Sequence, residues 1–128
     1  MRNLALALVV MAATAFAHHS FSAEFDQNRP VKLTGKVTSM KWANPHAWIY
    51  MDVETDGKVV NWALETAAAN QLTRRGWKRE DLPAGTVLTV DAYAARNGTP
   101  TANVQNVTLS DGRKLFAGSP GAEKEPAK

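Results

Sequence analysis

Residues 47–65, AWIYMDVETDGKVVNWALE, decide the fold. Ala47, Ile49, Met51 and Val53 recur at every second position, and Trp48, Tyr50, Asp52 and Glu54 occupy the positions between them. Period two predicts a strand with one apolar and one mixed face. Asp56-Gly57 follows directly and is a strong two-residue hairpin signal. The next run, KVVNWALE (58–65), alternates again, with Val60, Trp62 and Leu64 predicted to point inward.

Upstream, VKLTGKVTSMKW (31–42) sets Val31, Leu33 and Val37 on one face, with Gly35 in phase between them. A glycine inside a long strand marks a bulge or a sharp bend. Ala43-Asn44-Pro45 reads as a turn. Before it, HHSFSAEFDQNRP (18–30) has no clean period and reads as an N-terminal arm pinned by Phe21 and Phe25. Downstream, TAAANQLTRR (66–75) is predicted helical, with Thr66 as its cap, Arg74 and Arg75 at the negative end of the dipole and Gly76 in the left-handed position beyond it. TVLTVDAYA (86–94) and TANVQNVTL (101–109) are two further strands, bounded by turns at Leu82-Pro83-Ala84-Gly85, Asn97-Gly98 and Asp111-Gly112. The tail from residue 117 to 128 is small, charged and Pro-containing, and is predicted to be disordered.

Three amphipathic strands, one short helix and two more strands predict a mainly β protein. A small five-stranded OB-fold-like barrel over residues 31–116, with the helix between strands three and four, removes sheet edges and buries one face of each strand. A generic antiparallel sandwich plus helix uses the same elements. Neither fold dictates a function.

The first 17 residues read as a signal peptide. Arg2 gives a positive start, LALALVVMAATAF (4–16) is uncharged and apolar, and Ala15-Phe16-Ala17 fits small-x-small cleavage. The apolar run falls short of the roughly 20 residues of a membrane span. The expectation is therefore a periplasmic or secreted protein with no span after processing. Arg2 is the one charged residue removed, so the 15 basic residues fall to 14 against 12 acidic ones. That near balance, with its densest cluster only Arg74, Arg75, Lys78 and Arg79, argues against nucleic acid as a partner. With no cysteine in the 128 residues, disulfides, iron–sulfur clusters, thiolate zinc sites and thiol nucleophiles are excluded.

His18-His19-Ser20-Phe21, Asn44-Pro45-His46-Ala47-Trp48, Arg74-Arg75-Gly76-Trp77 and Asp111-Gly112-Arg113-Lys114 together resemble a family of small exported bacterial proteins of unknown function. The resemblance runs from His18 to about Gly118. It implies a periplasmic setting and one barrel-like domain. It brings no activity, substrate or catalytic residue.

The chain has three histidines, His18, His19 and His46. Cleavage after Ala17 makes His18 the first residue, whose free amine and ring Nδ1 can chelate one metal ion. A further imidazole, from His19 or His46, completes a nitrogen set that suits Cu(II). Cleavage after Ala15 leaves Phe16-Ala17-His18, and a histidine in third position also wraps Cu(II) or Ni(II) in a square plane. The competing reading makes His46 a turn residue that hydrogen-bonds a carbonyl. A second feature is the outer stripe His46, Trp48, Tyr50, Asp52 and Glu54. Trp48 and Tyr50, with Trp42 nearby, are candidates for binding an extended ligand or a protein partner; the alternative is that other segments of the chain cover these rings.

Enzyme motifs are lacking: there is no nucleophile elbow, phosphate loop or His-Glu-x-x-His, and Glu65 and Asp91 read as isolated acids. The expectation is a non-enzymatic exported barrel that binds copper through His18, His19 and His46. The alternative is an OB-type binding module for a periplasmic protein or an extended ligand, using the Trp42, Trp48 and Tyr50 face. The sequence does not specify the oligomeric state.

Overall fold

The computed structural model describes residues 21–119. Asp56 and Gly57 take positive φ, 52° and 79°, the backbone a two-residue hairpin turn requires where the flanking strands twist right-handedly. That turn joins β2 (Trp48–Thr55) to β3 (Lys58–Glu65), paired antiparallel from Thr55↔Lys58 to Trp48↔Glu65. The remaining elements are β1 (Phe25–Lys41), the helix α1 (Ala69–Arg74), β4 (Val87–Ala95), β5 (Thr101–Leu109) and β6 (Lys114–Phe116). Residues 21–24 form one helical turn ahead of β1. The protein is mainly β, with six strands in one sheet ordered β3-β2-β1-β4-β5-β6.

Neighbouring strands in that order run antiparallel. One additional pairing is parallel: Ala63–Glu65 of β3 lie against Thr101–Asn103 of β5. β1 serves two partners, pairing with β4 up to Lys36↔Val87 and with β2 from Lys36↔Asp52 onward. Gly35 stands at the changeover. A Cβ there would lie 2.1 Å from the Asp52 carbonyl oxygen, so only glycine lets the two backbones approach this closely. The register also slips between Val37 and Ser39, two residues further on.

The inner face predicted for the second strand is buried in full: Ala47, Ile49, Met51 and Val53 join Val37, Leu64, Leu88, Val90, Val104 and Val107 in the main core. α1 seals part of it with Leu72, and Trp77 follows, its indole N–H donating to the Phe116 carbonyl at 3.2 Å. The helix ends as its sequence predicts. Gly76 N–H donates to Thr73 O and Trp77 N–H to Leu72 O, both at 3.0 Å, the paired bonds of a Schellman stop.

Several expectations need correction. Thr66 does not cap the helix; it is fully buried, and its hydroxyl donates to the Ala67 carbonyl at 2.9 Å. The first helical N–H groups are instead satisfied from the Ala43–Pro45 turn, Ala69 N–H by Ala43 O at 3.0 Å and Asn70 N–H by Asn44 Oδ1 at 3.2 Å. Val60, predicted inward, is 39% exposed beside Val59 at 63%. β3 has β5 beside it only at Ala63–Glu65, so its stretch from Lys58 to Asn61 is an open edge, although Val53 opposite Val60 on β2 is buried in the core.

β1 begins at Phe25, six residues before the periodic text, because Phe25 pairs with Ala95 and is buried with Tyr93. The sixth strand, β6, pairs with β5. Ala117 and Ser119, at the start of the segment predicted to be disordered, are buried: Ala117 N–H donates to Gln105 O, and its carbonyl accepts from Ala67 N–H, both at 2.8 Å. Residues 1–17, His18, His19 and residues 120–128 lie outside the described residues.

Candidate functional site

The cis Asn44-Pro45 bond and the start of β2 present His46 at one end of the sheet, with its side chain 40% exposed. Its Nδ1 lies 3.0 Å from the Thr66 carbonyl oxygen. A carbonyl only accepts, so the proton of the neutral ring sits on Nδ1, and Nε2 carries the free lone pair. The turn-residue reading of His46 is thus correct for one nitrogen and leaves the other available.

Behind the ring lies a buried polar chain. Glu65, the last residue of β3, is 8% exposed, and its Oε1 stands 3.6 Å from His46 Nδ1. Asn103, fully buried on β5, donates from Nδ2 to Glu65 Oε1 at 3.2 Å and accepts at Oδ1 from Gln105 Nε2 at 2.9 Å. Ser119 Oγ donates to Thr66 O at 3.3 Å. Burial pushes the Glu65 carboxyl above its ordinary value of 4.5, and the Glu24 carboxylate pushes the same way, while His46 and the Asn103 hydrogen bond pull it down. Glu65, predicted to be an isolated acid, is therefore the centre of this cluster. Asp91 is not isolated either, standing 3.5 Å from Lys32 Nζ on the neighbouring strand.

Sequence reading missed Asn103 altogether. No local signal marked it: Ala102-Asn103-Val104 alternates like any half-buried strand, which points the amide outward, whereas all three residues are buried. The parallel β3–β5 pairing sets Asn103 opposite Glu65, and no local pattern encodes that pairing.

Opposite Glu65 on β2 stands Trp48. It lines a cleft of about 450 Å³ between the N-terminal arm and the β4–β5 connection, together with Glu24, Arg96, Asn97, Thr99 and Thr101. The arm is fastened there. Arg96 donates from Nε to Ser22 O at 2.7 Å, its Nη1 lies 3.6 Å from Asp26, and Phe21 packs on Phe25 and Tyr93 with ring centroids 5.6 and 6.4 Å away. Of the other aromatics singled out, Trp42 packs against the main core, and Tyr50, half-buried two residues along β2, is not among the cleft's lining residues. Of the three, Trp48 alone lines this cleft.

Among the described residues, no group of three or more His, Asp or Glu side chains is gathered to hold a metal ion. His46 is the one described member of the predicted set, and His19 lies two residues before Phe21.

Residues 6–104 match the sequence model described as a family of unknown function, DUF6152, and the chain belongs to that family. No curated protein matches the chain.

Proposed function

We propose that this member of the DUF6152 family is an exported, non-enzymatic protein that binds a transition metal, copper first, through His18, His19 and His46, and buffers or delivers it in the periplasm. We read the fold as a closed barrel of OB type. Supporting this are the run of pairings from β3 through β2, β1, β4 and β5 back to β3, and the helix between the third and fourth strands. β6 is then an addition alongside β5. Export rests on Arg2, the apolar run to Phe16 and the Ala15-Phe16-Ala17 end.

The observation that carries the metal reading is the state of the His46 ring. Metal-ligating histidines donate their second N–H to a carbonyl or carboxylate, which fixes tautomer and orientation. Here the Thr66 carbonyl takes the Nδ1 proton, the Glu65 carboxylate stands behind it, and Nε2 is left on a partly exposed ring. The arm supports the same reading. Glu24 acts electrostatically on Glu65, which touches His46, so the fastened stretch 21–24 belongs to the same end of the molecule. From Phe21, His19 reaches about 7 Å and His18 about 10 Å along an extended chain. The amine and Nδ1 of His18, with Nε2 of His46, make a three-nitrogen set of the kind Cu(II) prefers. Acid weakens it, because the amine and the imidazoles must lose protons to bind.

The test is a Cu(II) titration followed by electron paramagnetic resonance on protein exported and processed in a bacterial periplasm, its N-terminus fixed by intact mass. A tight one-to-one nitrogen-rich site in the processed form, absent from a Met-extended form and short of one nitrogen in His46→Ala, is expected. Unchanged copper affinity after His18→Ala and His19→Ala overturns the proposal.

A further inference from the structure

We infer that the cleft between the N-terminal arm and the β4–β5 connection is a binding site for an uncharged saccharide of one to three rings, with Trp48 as its stacking platform. Its volume of about 450 Å³ lies within the range of small-ligand pockets, about 300–1,000 Å³. The half-buried Trp48 indole, Phe25 and two alanines give it apolar walls, and Glu24, Arg96, Asn97 and two threonines supply its polar groups. A buried or half-buried indole N–H ordinarily finds an acceptor. The Trp77 N–H meets this by bonding to Phe116 O, and no buried side-chain N or O among the described residues lacks a partner, so the Trp48 N–H is open to solvent and to a ligand hydroxyl.

The polar groups are arranged as unused capacity. Asn97 uses its Oδ1 to accept from the Thr99 N–H at 3.1 Å and from the Thr99 hydroxyl at 2.7 Å, which leaves its amide N–H groups without a protein partner. The Glu24 carboxylate likewise has no hydrogen-bond donor among the described residues. Indole and amide N–H donors beside a carboxylate acceptor and threonine hydroxyls match a ring that carries hydroxyls, each both donor and acceptor, around an apolar C–H face.

Charge selects against an anionic ligand. The Arg96 guanidinium is already engaged, by Nε on Ser22 O and by Nη1 near Asp26, and Glu24 faces the same cleft. Among the cleft's described lining residues the one cation, Arg96, stands beside the Asp26 carboxylate and shares the cleft with Glu24, so the lining carries no excess positive charge to favour a nucleotide over a neutral sugar. The location agrees. Trp48 follows the β1–β2 connection and Asn97 and Thr99 lie in the β4–β5 connection, the two loops with which OB-type barrels take oligosaccharides and oligonucleotides. That last point rests on the barrel reading of the fold; the cleft's chemistry does not, and neither depends on copper.

The experiment titrates the full processed chain with cellotriose, maltotriose and di-N-acetylchitobiose, and with a pyrimidine-rich DNA oligonucleotide, following tryptophan emission and the Trp48 indole N–H resonance. Saturable binding of at least one sugar is expected, with the Trp48 signal shifted. Trp48→Ala should weaken binding about tenfold or more, as loss of an aromatic stacking platform does, while Trp48→Phe keeps part of it. Glu24→Gln, an exposed change that leaves the fold intact, should weaken it as well. His46→Ala should leave sugar affinity unchanged, which separates this site from the metal reading. Failure of all three sugars to move the Trp48 signal, sugar binding that survives Trp48→Ala, or preference for the oligonucleotide overturns the proposal.

Discussion

Replacing Gly35 with alanine puts a methyl carbon where the Asp52 carbonyl already stands. The new Cβ would lie 2.1 Å from that oxygen, 2.9 Å from its carbon and 3.0 Å from Met51 Cγ. Carbon and oxygen in an ordinary C–H···O contact stay about 3.3 Å apart, so β1 and β2 must separate by about 1.2 Å at this point. A ladder bond near its usual length of about 2.9 Å, stretched that far, is no longer a hydrogen bond. The obstructing atoms are backbone, and rotamer changes cannot relieve them. Forced overpacking costs about 1–3 kcal/mol and a lost ladder bond adds about 1, for a total of about 2–4 kcal/mol. In a domain of this size each kcal/mol moves the melting temperature by about 4–8 °C, so Gly35→Ala should melt about 10 °C or more below the parent. Circular dichroism during heating reads this directly. Gly118→Ala is the control: its Cβ would meet Phe116 ring atoms at 2.8 Å, but these are side-chain atoms of a ring 37% exposed, whose shift costs only its contact with the Arg75 guanidinium, so the loss should be well under half as large. A Gly35→Ala melting point within about 3 °C of the parent, or equal to that of Gly118→Ala, would refute the account of the β1 changeover.

Two further predictions concern the polar end of the molecule. The Glu65 carboxyl is raised above 4.5 in the folded state, chiefly by burial, so its contribution to stability is fully present below 4.5 and is lost as pH rises through the folded value. Glu65→Gln keeps an acceptor for Asn103 and has no charge to bury. In metal-free protein it should therefore be more stable than the parent at pH 8, with the difference shrinking toward pH 4; urea unfolding at both pH values measures it, and a deficit at pH 8 alone would contradict the assignment. Arg96→Met removes the bonds to Ser22 O and Asp26 that fasten the arm. Amide exchange over residues 22–26 should accelerate while the melting temperature falls only slightly, since exposed ion pairs contribute about 0–1 kcal/mol; unchanged exchange would mean that Phe21 and Phe25 hold the arm alone.

How much of this was legible in the sequence depended on the range of the interactions. Period two exposed the inner face of β2 because Ala47, Ile49, Met51 and Val53 share one environment along the whole strand. Asp56-Gly57 and Gly76 were readable because a turn and a helix stop are set by a few neighbouring residues. Thr66 misled for the converse reason. As a potential cap it looked local, whereas the group that bonds the Asn70 N–H belongs to Asn44, 26 residues away. Val60 alternates correctly yet has no sheet to face, because the reach of β5 along β3 is a tertiary fact. The candidate site failed in the same way. His46 stood out as a rare residue type, but Glu65 owes its character to tertiary burial and to partners distant in sequence, among them Asn103 on a strand that starts 36 residues later.

The two allegiances of β1 also set the order in which the molecule can assemble. Its first half waits for β4, with partners from Lys36↔Val87 to Phe25↔Ala95, more than fifty residues along the chain. Closing such long loops precedes any gain from them, and topologies dominated by non-local pairing fold in roughly milliseconds to seconds, not microseconds. During synthesis the β1–β2–β3 meander emerges first and finds one edge of β1 unpaired and half its apolar face uncovered. A stable body must therefore await β4 and β5. Until they arrive the meander keeps its unpaired strand edge open to the chain's own later strands.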